Sequence, residues 1–261
     1  MSGVIQKWLE RLDFPAEWQD RIVSAARLTG PGIGREMLDA QPDPLLNLLY
    51  VLSQCDQVEE AYHKRGIPQA ILLDTLSDIL TWTGNYYQDT GLIGLRHIGW
   101  LEHHLSFKLF RLGRLQFEFE KAYAANVRGN AAKDDPIVKI HVPQGPSLIR
   151  TECQASYAQA RQFFAGYFPE YAYNYFTLRS WLLDFNLLNW LKASANIVEF
   201  QKDYAITHYE ENYGALLFVF GRNATLENVN DFPAQTTLQQ KIIAHLNQGG
   251  KLYTGLGWIK R

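Results

Sequence analysis

The spacing of apolar residues changes at Gly113, and that change limits what the chain can fold into. Upstream, apolar positions recur with the repeat of one helix face; downstream, they alternate as on a strand. Val4, Trp8, Leu9 and Leu12 share one face. Pro15 opens a second helix carrying Trp18, Ile22 and Ala25. Asp43 is placed to cap a long helix with Leu45, Leu48, Leu49, Leu52, Cys55 and Val58 inward, and Gly66 to end it. A further helix runs from Pro68 through Leu72, Leu76, Ile79 and Tyr86 to Gly91, and another through Leu95, Ile98, Leu101, Leu105 and Leu109. Residues 1–110 are therefore predicted as an α-helical domain with short connections. The glycines at 30, 32 and 34 around Pro31 lack a preceding strand and a following Lys-Ser/Thr, so they are taken as a linker.

Beyond Gly113, strands are predicted at 114–120, 137–142, 174–183, 204–209, 215–220 and 252–259. Helices are predicted at 152–167, with Thr151 and Gln154 as a capping box, and at 187–191 and 238–246. The expected class is α+β: a helical bundle over 1–110, then a mixed sheet with flanking helices over 111–261.

With 261 residues, 47% of them hydrophobic and 20% charged, the composition is that of a globular protein with a sizeable core. A net charge of −2 supplies no broad cationic field, so nucleic acid is not an expected partner. Cys55 and Cys153 have no metal-like spacing and form no disulfide framework, which fits a reducing cytoplasm. The N-terminal stretch is amphipathic and charged, unlike a signal peptide. The apolar run at 45–52 is too short to cross a bilayer, so no membrane is expected as a partner. Asn223-Ala224-Thr225 matches a glycosylation acceptor but has no secretory context.

Arg114, Gln116 and Glu118 alternate with Leu115, Phe117 and Phe119, which sets an arginine, an amide and a carboxylate in a row. Such a row is the wall of a polar cleft or a cross-strand ladder; with Glu120 it forms a structural pair or a substrate clamp. Ser180 and Asp184 alternate against Arg179 and Trp181 toward the end of another strand. There Asp184 is a helix cap or a catalytic base, the latter requiring a pKa raised by burial near Trp181 and Trp190. His141 closes a strand before a turn stiffened by Pro143 and Pro146 and loosened by Gly145. Strand, stiff turn and helix start make an anion site with Arg150 alongside, unless Thr151 and Gln154 already satisfy the helix donors. His103 and His104 diverge on a helix and His97 lies two turns away, so no metal is expected.

Several segments resemble a bacterial family of two-domain acyltransferases with an α-helical N-terminal domain and a GNAT-like C-terminal domain. They are Gly99-Trp100-Leu101, His104-Leu105, residues 109–118, residues 140–145, residues 167–171, residues 180–184, residues 216–221 and residues 255–258. The resemblance implies an acyl-CoA donor in a groove between central strands, with its pyrophosphate on the turn containing Gln144, Gly145, Ser147, Arg150 and Thr151. It implies transfer of the acyl group to an amine, a small-molecule acceptor. Asp184, Glu118 or His141 would handle the proton, and Arg114, Gln116, Ser180 and Trp181 would line the cleft. The usual signature R/Q-x-x-G-x-G/A is replaced by residues 144–149, with one glycine and a proline. A non-catalytic small-molecule or peptide binder on the same fold is the alternative. Oligomeric state is not legible.

Overall fold

The structure is a computed structural model describing residues 1–30, 32–40, 43–122 and 131–261. Pro31, within the expected linker, lies outside the described residues. The chain divides into two compact units. Unit 1 comprises Met1–Glu118, Val142–Gln144 and Ala165–Tyr167; unit 2 comprises Phe119–His141, Gly145–Phe164 and Phe168–Arg261.

Unit 1 opens with helices α1 (Ser2–Arg11), α2 (Ala16–Thr29), α3 (Arg35–Ala40), α4 (Pro44–Arg65), α5 (Gln69–Leu76), α6 (Asp78–Thr90) and α7 (Gly99–Leu105). The best-specified is α4. The Asp43 carboxylate accepts the N–H groups of Leu45 and Leu46 at 2.7 and 3.3 Å, Pro44 occupies the first turn, and Gly66 closes the helix at φ 69°. Leu48, Leu49, Val51, Leu52 and Cys55 have no exposed surface, and each such leucine contributes about 1.5–3 kcal/mol by leaving water.

Here the chain departs from expectation. The helix predicted through Leu95 to Leu109 is only α7. Leu95 lies in a coil held by its N–H on Pro44 O at 2.7 Å and by Asn47 on its carbonyl at 2.9 Å. Phe107 takes φ 57°, which no right-handed helix tolerates, and Leu109 begins strand β1 (Leu109–Leu112). Gly113, at φ 71°, and Arg114 form a two-residue hairpin loop to β2 (Leu115–Lys121), with Leu112 opposite Leu115 and Leu109 opposite Glu118.

The sheet then continues with β3 (Pro136–His141), helix α8 (Arg150–Tyr167) and β4 (Tyr175–Ser180). After these come α9 (Asn186–Trp190), α10 (Asn196–Gln201), β5 (Ala205–Glu211), α11 (Ala215–Phe220), α12 (Thr237–Asn247) and β6 (Tyr253–Lys260). The strands form one mixed sheet of six in the order β1-β2-β3-β4-β6-β5. The pair β3–β4 is parallel, while β1–β2, β4–β6 and β5–β6 are antiparallel. The α+β class holds, with three local corrections. Residues 215–220 are helical rather than a strand: the apolar run carries no period, Asn212 Oδ1 receives the Gly214 N–H at 2.8 Å at its start, and Gly221 ends it at φ 104°. The strand predicted to 183 stops at Ser180, followed by a 3₁₀ turn, Trp181–Leu183. Thr151 is not a cap, because α8 starts two residues earlier than predicted, at Arg150, with Ile149 at its cap position.

Aromatic packing anchors unit 2. Phe119 meets Phe164, Phe168 and Tyr171 at ring separations of 5.2, 4.8 and 4.5 Å. The Tyr171 hydroxyl lies 2.7 Å from Glu120 O and 2.9 Å from Ile137 O, tying two strands through one side chain. Both cysteines of the chain, Cys55 and Cys153, are fully buried and neither is in a disulfide.

Candidate functional site

The central feature of unit 2 is the way β3 and β4 separate. Their register joins only Val138 to Phe176 and Lys139 to Thr177. Both strands go on, to His141 and to Ser180. Ile140 and His141 on one side, and Leu178, Arg179 and Ser180 on the other, therefore take no ladder bonds from each other. On its other edge β4 is paired along its whole length, from Tyr175 opposite Lys260 to Ser180 opposite Gly255. The pairing between the two strands therefore opens beyond Lys139 and Thr177.

The connection from β3 to β4 includes α8, 18 residues long with no side-chain cap. Its first-turn N–H groups and the positive end of its macrodipole sit beyond a turn in which Gly145 takes φ 152° and is exposed. Ser147 is exposed, and its carbonyl accepts the Ile149 N–H at 2.9 Å. Thr151 is exposed. Arg150 is already engaged: Nε and Nη2 donate to Asp203 Oδ1 at 2.9 and 2.7 Å, and Gln154 adds a third bond to that oxygen at 3.2 Å. The guanidinium is thereby held to one side by a carboxylate that a phosphate must compete with. Asp203, with its second oxygen Oδ2 buried and without a hydrogen-bond partner, gave no signal in the sequence.

Beyond the opening, Ser180 and Asp184 shape the chain. Ser180 Oγ accepts the Leu182 N–H at 3.1 Å and starts the turn. Asp184 is 4% exposed; its oxygens accept Asn186 N–H at 2.9 Å and Tyr253 N–H at 2.8 Å. Burial pushes its carboxyl above the usual range, with those two N–H bonds working against the shift. In the structure Asp184 thus holds the chain ahead of α9 to the start of β6 through two backbone N–H groups. The turn lies directly on the sheet because β6 carries glycine beneath it: a Cβ on Gly255 would come 2.7 Å from Leu183 Cβ, and one on Gly257 2.8 Å from Leu183 Cδ1. Trp181 packs against the cluster around Leu216, Val229 and Ile242, with its ring stacked on Phe218.

Arg114, Gln116, Glu118 and Gln144 belong to unit 1. Arg114 sits in the hairpin loop and donates to Pro143 O at 2.9 Å; Gln144 Oε1 accepts from Asn85 at 2.8 Å. Gln116 and Glu118 are 0% and 3% exposed, so these two polar side chains of the row are buried. Gln116 Nε2 donates to Asp78 Oδ2 at 2.9 Å, and the same oxygen accepts from Trp100 Nε1 and His104 Nε2, each at 3.1 Å. His104 Nδ1 lies 3.2 Å from Trp100 O, so both ring nitrogens face oxygen atoms. Burial pushes the Asp78 carboxyl up, but the His104 bond and charge, with Gln116 and Trp100, outweigh it and hold it below the usual range. His103 pairs with Glu118 instead, so the divergence expected of adjacent helical histidines gives each its own carboxylate. Asp78 was not legible as a partner, since nothing in the sequence brings α6 to α7. Among the described residues, no group of three or more His, Cys, Asp or Glu side chains is placed to hold a metal ion. None of the described helices is long and apolar enough to cross a membrane.

A helical N-terminal region followed by a mixed six-stranded sheet is an architecture this chain shares with solved acyltransferases. One similar crystal structure is an acyltransferase in complex with CoA and 10C-teicoplanin, 26% identical with TM-score 0.73; the match covers 82% of this chain and 66% of that one. Another is an acyltransferase in complex with decanoyl-CoA and teicoplanin, 24% identical with TM-score 0.79, covering 97% of this chain and 86% of that one. Comparison with curated protein sequences returns no match. Residues 109–259 match the profile of the GNAT-like C-terminal domain, and residues 5–107 that of the N-acyltransferase N-terminal domain. The chain belongs to the family that joins these two domains.

Proposed function

We propose that the protein transfers an acyl group from a CoA thioester to an amine. The observation that carries this is the parting of β3 and β4 after Lys139 and Thr177. An extended pantetheine arm finds strand-edge partners there, as an added strand does. Gly145, Ser147 and Thr151, with the uncapped start of α8, hold the pyrophosphate, and Arg150 joins them when a phosphate draws it from Asp203. Solved relatives carrying decanoyl-CoA support a donor of medium chain length.

In the reaction the amine nitrogen attacks the thioester carbonyl carbon. As the adduct collapses the C–S bond breaks, the sulfur departs with the electron pair and takes up a proton, and the nitrogen gives its proton to a base. Asp184 has both oxygens committed to backbone N–H groups. His141, at the end of β3 where the strands have separated, is the base we assign.

The turn at 144–149 contains one glycine and Pro146, which lacks an N–H, and this favours a second reading: a binder that holds the thioester without turnover. Two measurements decide. Decanoyl-CoA at a hundred times its Kd is expected to raise stability by about 2.7 kcal/mol, read as a thermal shift. Mass spectrometry of mixtures with a panel of amines is expected to show acylated product, lost in His141→Ala. No thermal response to CoA thioesters of any length rejects the donor; a shift without product in any mixture selects the binder.

A further inference from the structure

The adjacent histidines of α7 are used differently. His104 is buried, and both its ring nitrogens face oxygens, of Asp78 and of Trp100. His103 keeps 43% of its side chain exposed. Its Nδ1 pairs with Glu118, and its Nε2 takes no partner among the described residues. A carboxylate as buried as Glu118 is costly unless paired, and arginine is the usual partner for the purpose. Here the partner is an imidazole, the side chain suited to take up and release a proton in neutral solution. The carboxylate also settles which nitrogen is basic. Nδ1, carrying hydrogen, donates to Glu118, so the lone pair of the neutral ring is on Nε2. The Trp100 ring stands beside it, centroids 5.6 Å apart, and is fixed in turn by its indole N–H on Asp78. An aromatic neighbour at this range favours a cation, whether the imidazolium or an approaching ammonium. Other charges around α7 are engaged: Glu102 pairs with Arg35, and His104 with Asp78.

The dyad is complete within unit 1, which also holds Val142–Gln144, the residues that follow His141 at the end of β3. Arg114, in the loop that leads into β2, holds that turn by Pro143 O at 2.9 Å, and Glu118 lies on β2 itself.

We propose that His103, oriented by Glu118, is the base that readies the acceptor for attack. The inference rests on the acyl-transfer reading above and adds a residue to it. An alkyl amine arrives as an ammonium at neutral pH, its pKa being close to the ~10.4 of a lysine side chain. An ammonium has no lone pair with which to attack, so two protons leave the nitrogen in one turnover. The first passes from the ammonium to His103 Nε2, giving a neutral amine and an imidazolium paired with Glu118; the exposed ring then returns it to water. The second leaves as the adduct collapses and is the one given to His141 above. Glu118 touches no substrate. It is a positioning residue that holds the tautomer and compensates the charge that forms, as the buried carboxylate of a Ser-His-Asp triad does.

The test follows amide formation from decanoyl-CoA by mass spectrometry, with the full chain and two acceptors at pH 7. Hexylamine is an ammonium at that pH; methoxyamine is already neutral and has no first proton to lose. His103→Gln is expected to lower the ratio of the hexylamine rate to the methoxyamine rate about a hundredfold, the low end for general base catalysis. Glu118→Gln is expected to lower the same ratio. A change that merely loosens the fold slows both acceptors and leaves the ratio alone. Nitrogen NMR of the full chain, which needs no donor, is expected to find the neutral His103 ring with its hydrogen on Nδ1, and to lose that preference in Glu118→Gln. An unmoved ratio in His103→Gln, or hydrogen on Nε2 in the wild type, overturns the inference. Amide formed at an unmoved ratio leaves the transfer reading intact, whereas amide from no amine rejects both.

Discussion

Asp78 offers the clearest link between geometry and stability. It is 3% exposed, and a single oxygen receives His104, Gln116 and Trp100 at 3.1, 2.9 and 3.1 Å. Asp78→Ala leaves the buried His104 ring, the Gln116 amide and the Trp100 indole N–H without the oxygen they share. Removing one partner of a buried pair costs about 3–5 kcal/mol, and an orphaned donor about 1–3 kcal/mol; the terms share one oxygen and do not add in full. A loss of about 3–5 kcal/mol is a fifth or more of the ~5–15 kcal/mol that holds a typical domain together. Asp78→Asn keeps a carbonyl oxygen in place but not the charge, so its loss is expected to be intermediate. Urea unfolding at pH 7, followed by tryptophan fluorescence, measures both.

The pH dependence has a fixed sign. The folded carboxyl is held below its usual range, so its contribution is complete above the unfolded pKa, near ~3.9, and lost as pH falls through the folded value. The gap between wild type and Asp78→Asn must therefore narrow from pH 6 to pH 3. An Asp78→Ala protein with the wild-type urea midpoint, or a gap that stays constant with pH, refutes the reasoning.

Asp184 predicts the opposite trend: its folded carboxyl lies above the usual range, so its contribution is greatest below the unfolded pKa and declines as pH rises through the folded value. Asp184→Asn turns an amide N–H toward a backbone N–H and is expected to cost about 1–3 kcal/mol, with the gap to wild type wider at pH 3 than at pH 6 by urea titration. Gly255→Ala drives a Cβ to 2.7 Å from Leu183 Cβ and 2.9 Å from Leu183 O. A backbone neighbour cannot yield as a side-chain tip does, so a loss of about 1–3 kcal/mol is expected, seen as a lower Tm; an unchanged Tm means that the turn does not rest on the sheet as described.

Elements with a sustained period are legible in the chain. The Asp43 cap, the α4 stripe and the Gly66 stop agree on one helix, and strands β3, β5 and β6 fall where alternation places them. Short elements are not. Residues 109–112 continue the leucine spacing of α7, and only the left-handed Phe107 makes them a strand, a conformation no residue type there announces. Residues 215–220 are apolar at nearly every position, and a run without polar gaps has no phase to read. At the candidate site, the sequence places His141 and the turn beside a helix start. It could not show that Arg150 would meet Asp203, 53 positions on, or that His104 would meet Asp78, because such pairings are set by packing. The polar row of β2 was visible; what closes over it was not.

The sealed thiols have a practical consequence for anyone measuring turnover. Cys55 is fully buried, and desolvation pushes its thiol far above the ordinary range; Cys153 is equally shielded. Thiolate, not thiol, reacts with a chromogenic disulfide reagent. The native chain should therefore stay dark in such a reagent while any coenzyme A liberated by the proposed transfer gives colour. Denaturing the sample adds two equivalents per chain, an internal standard for how much enzyme was present.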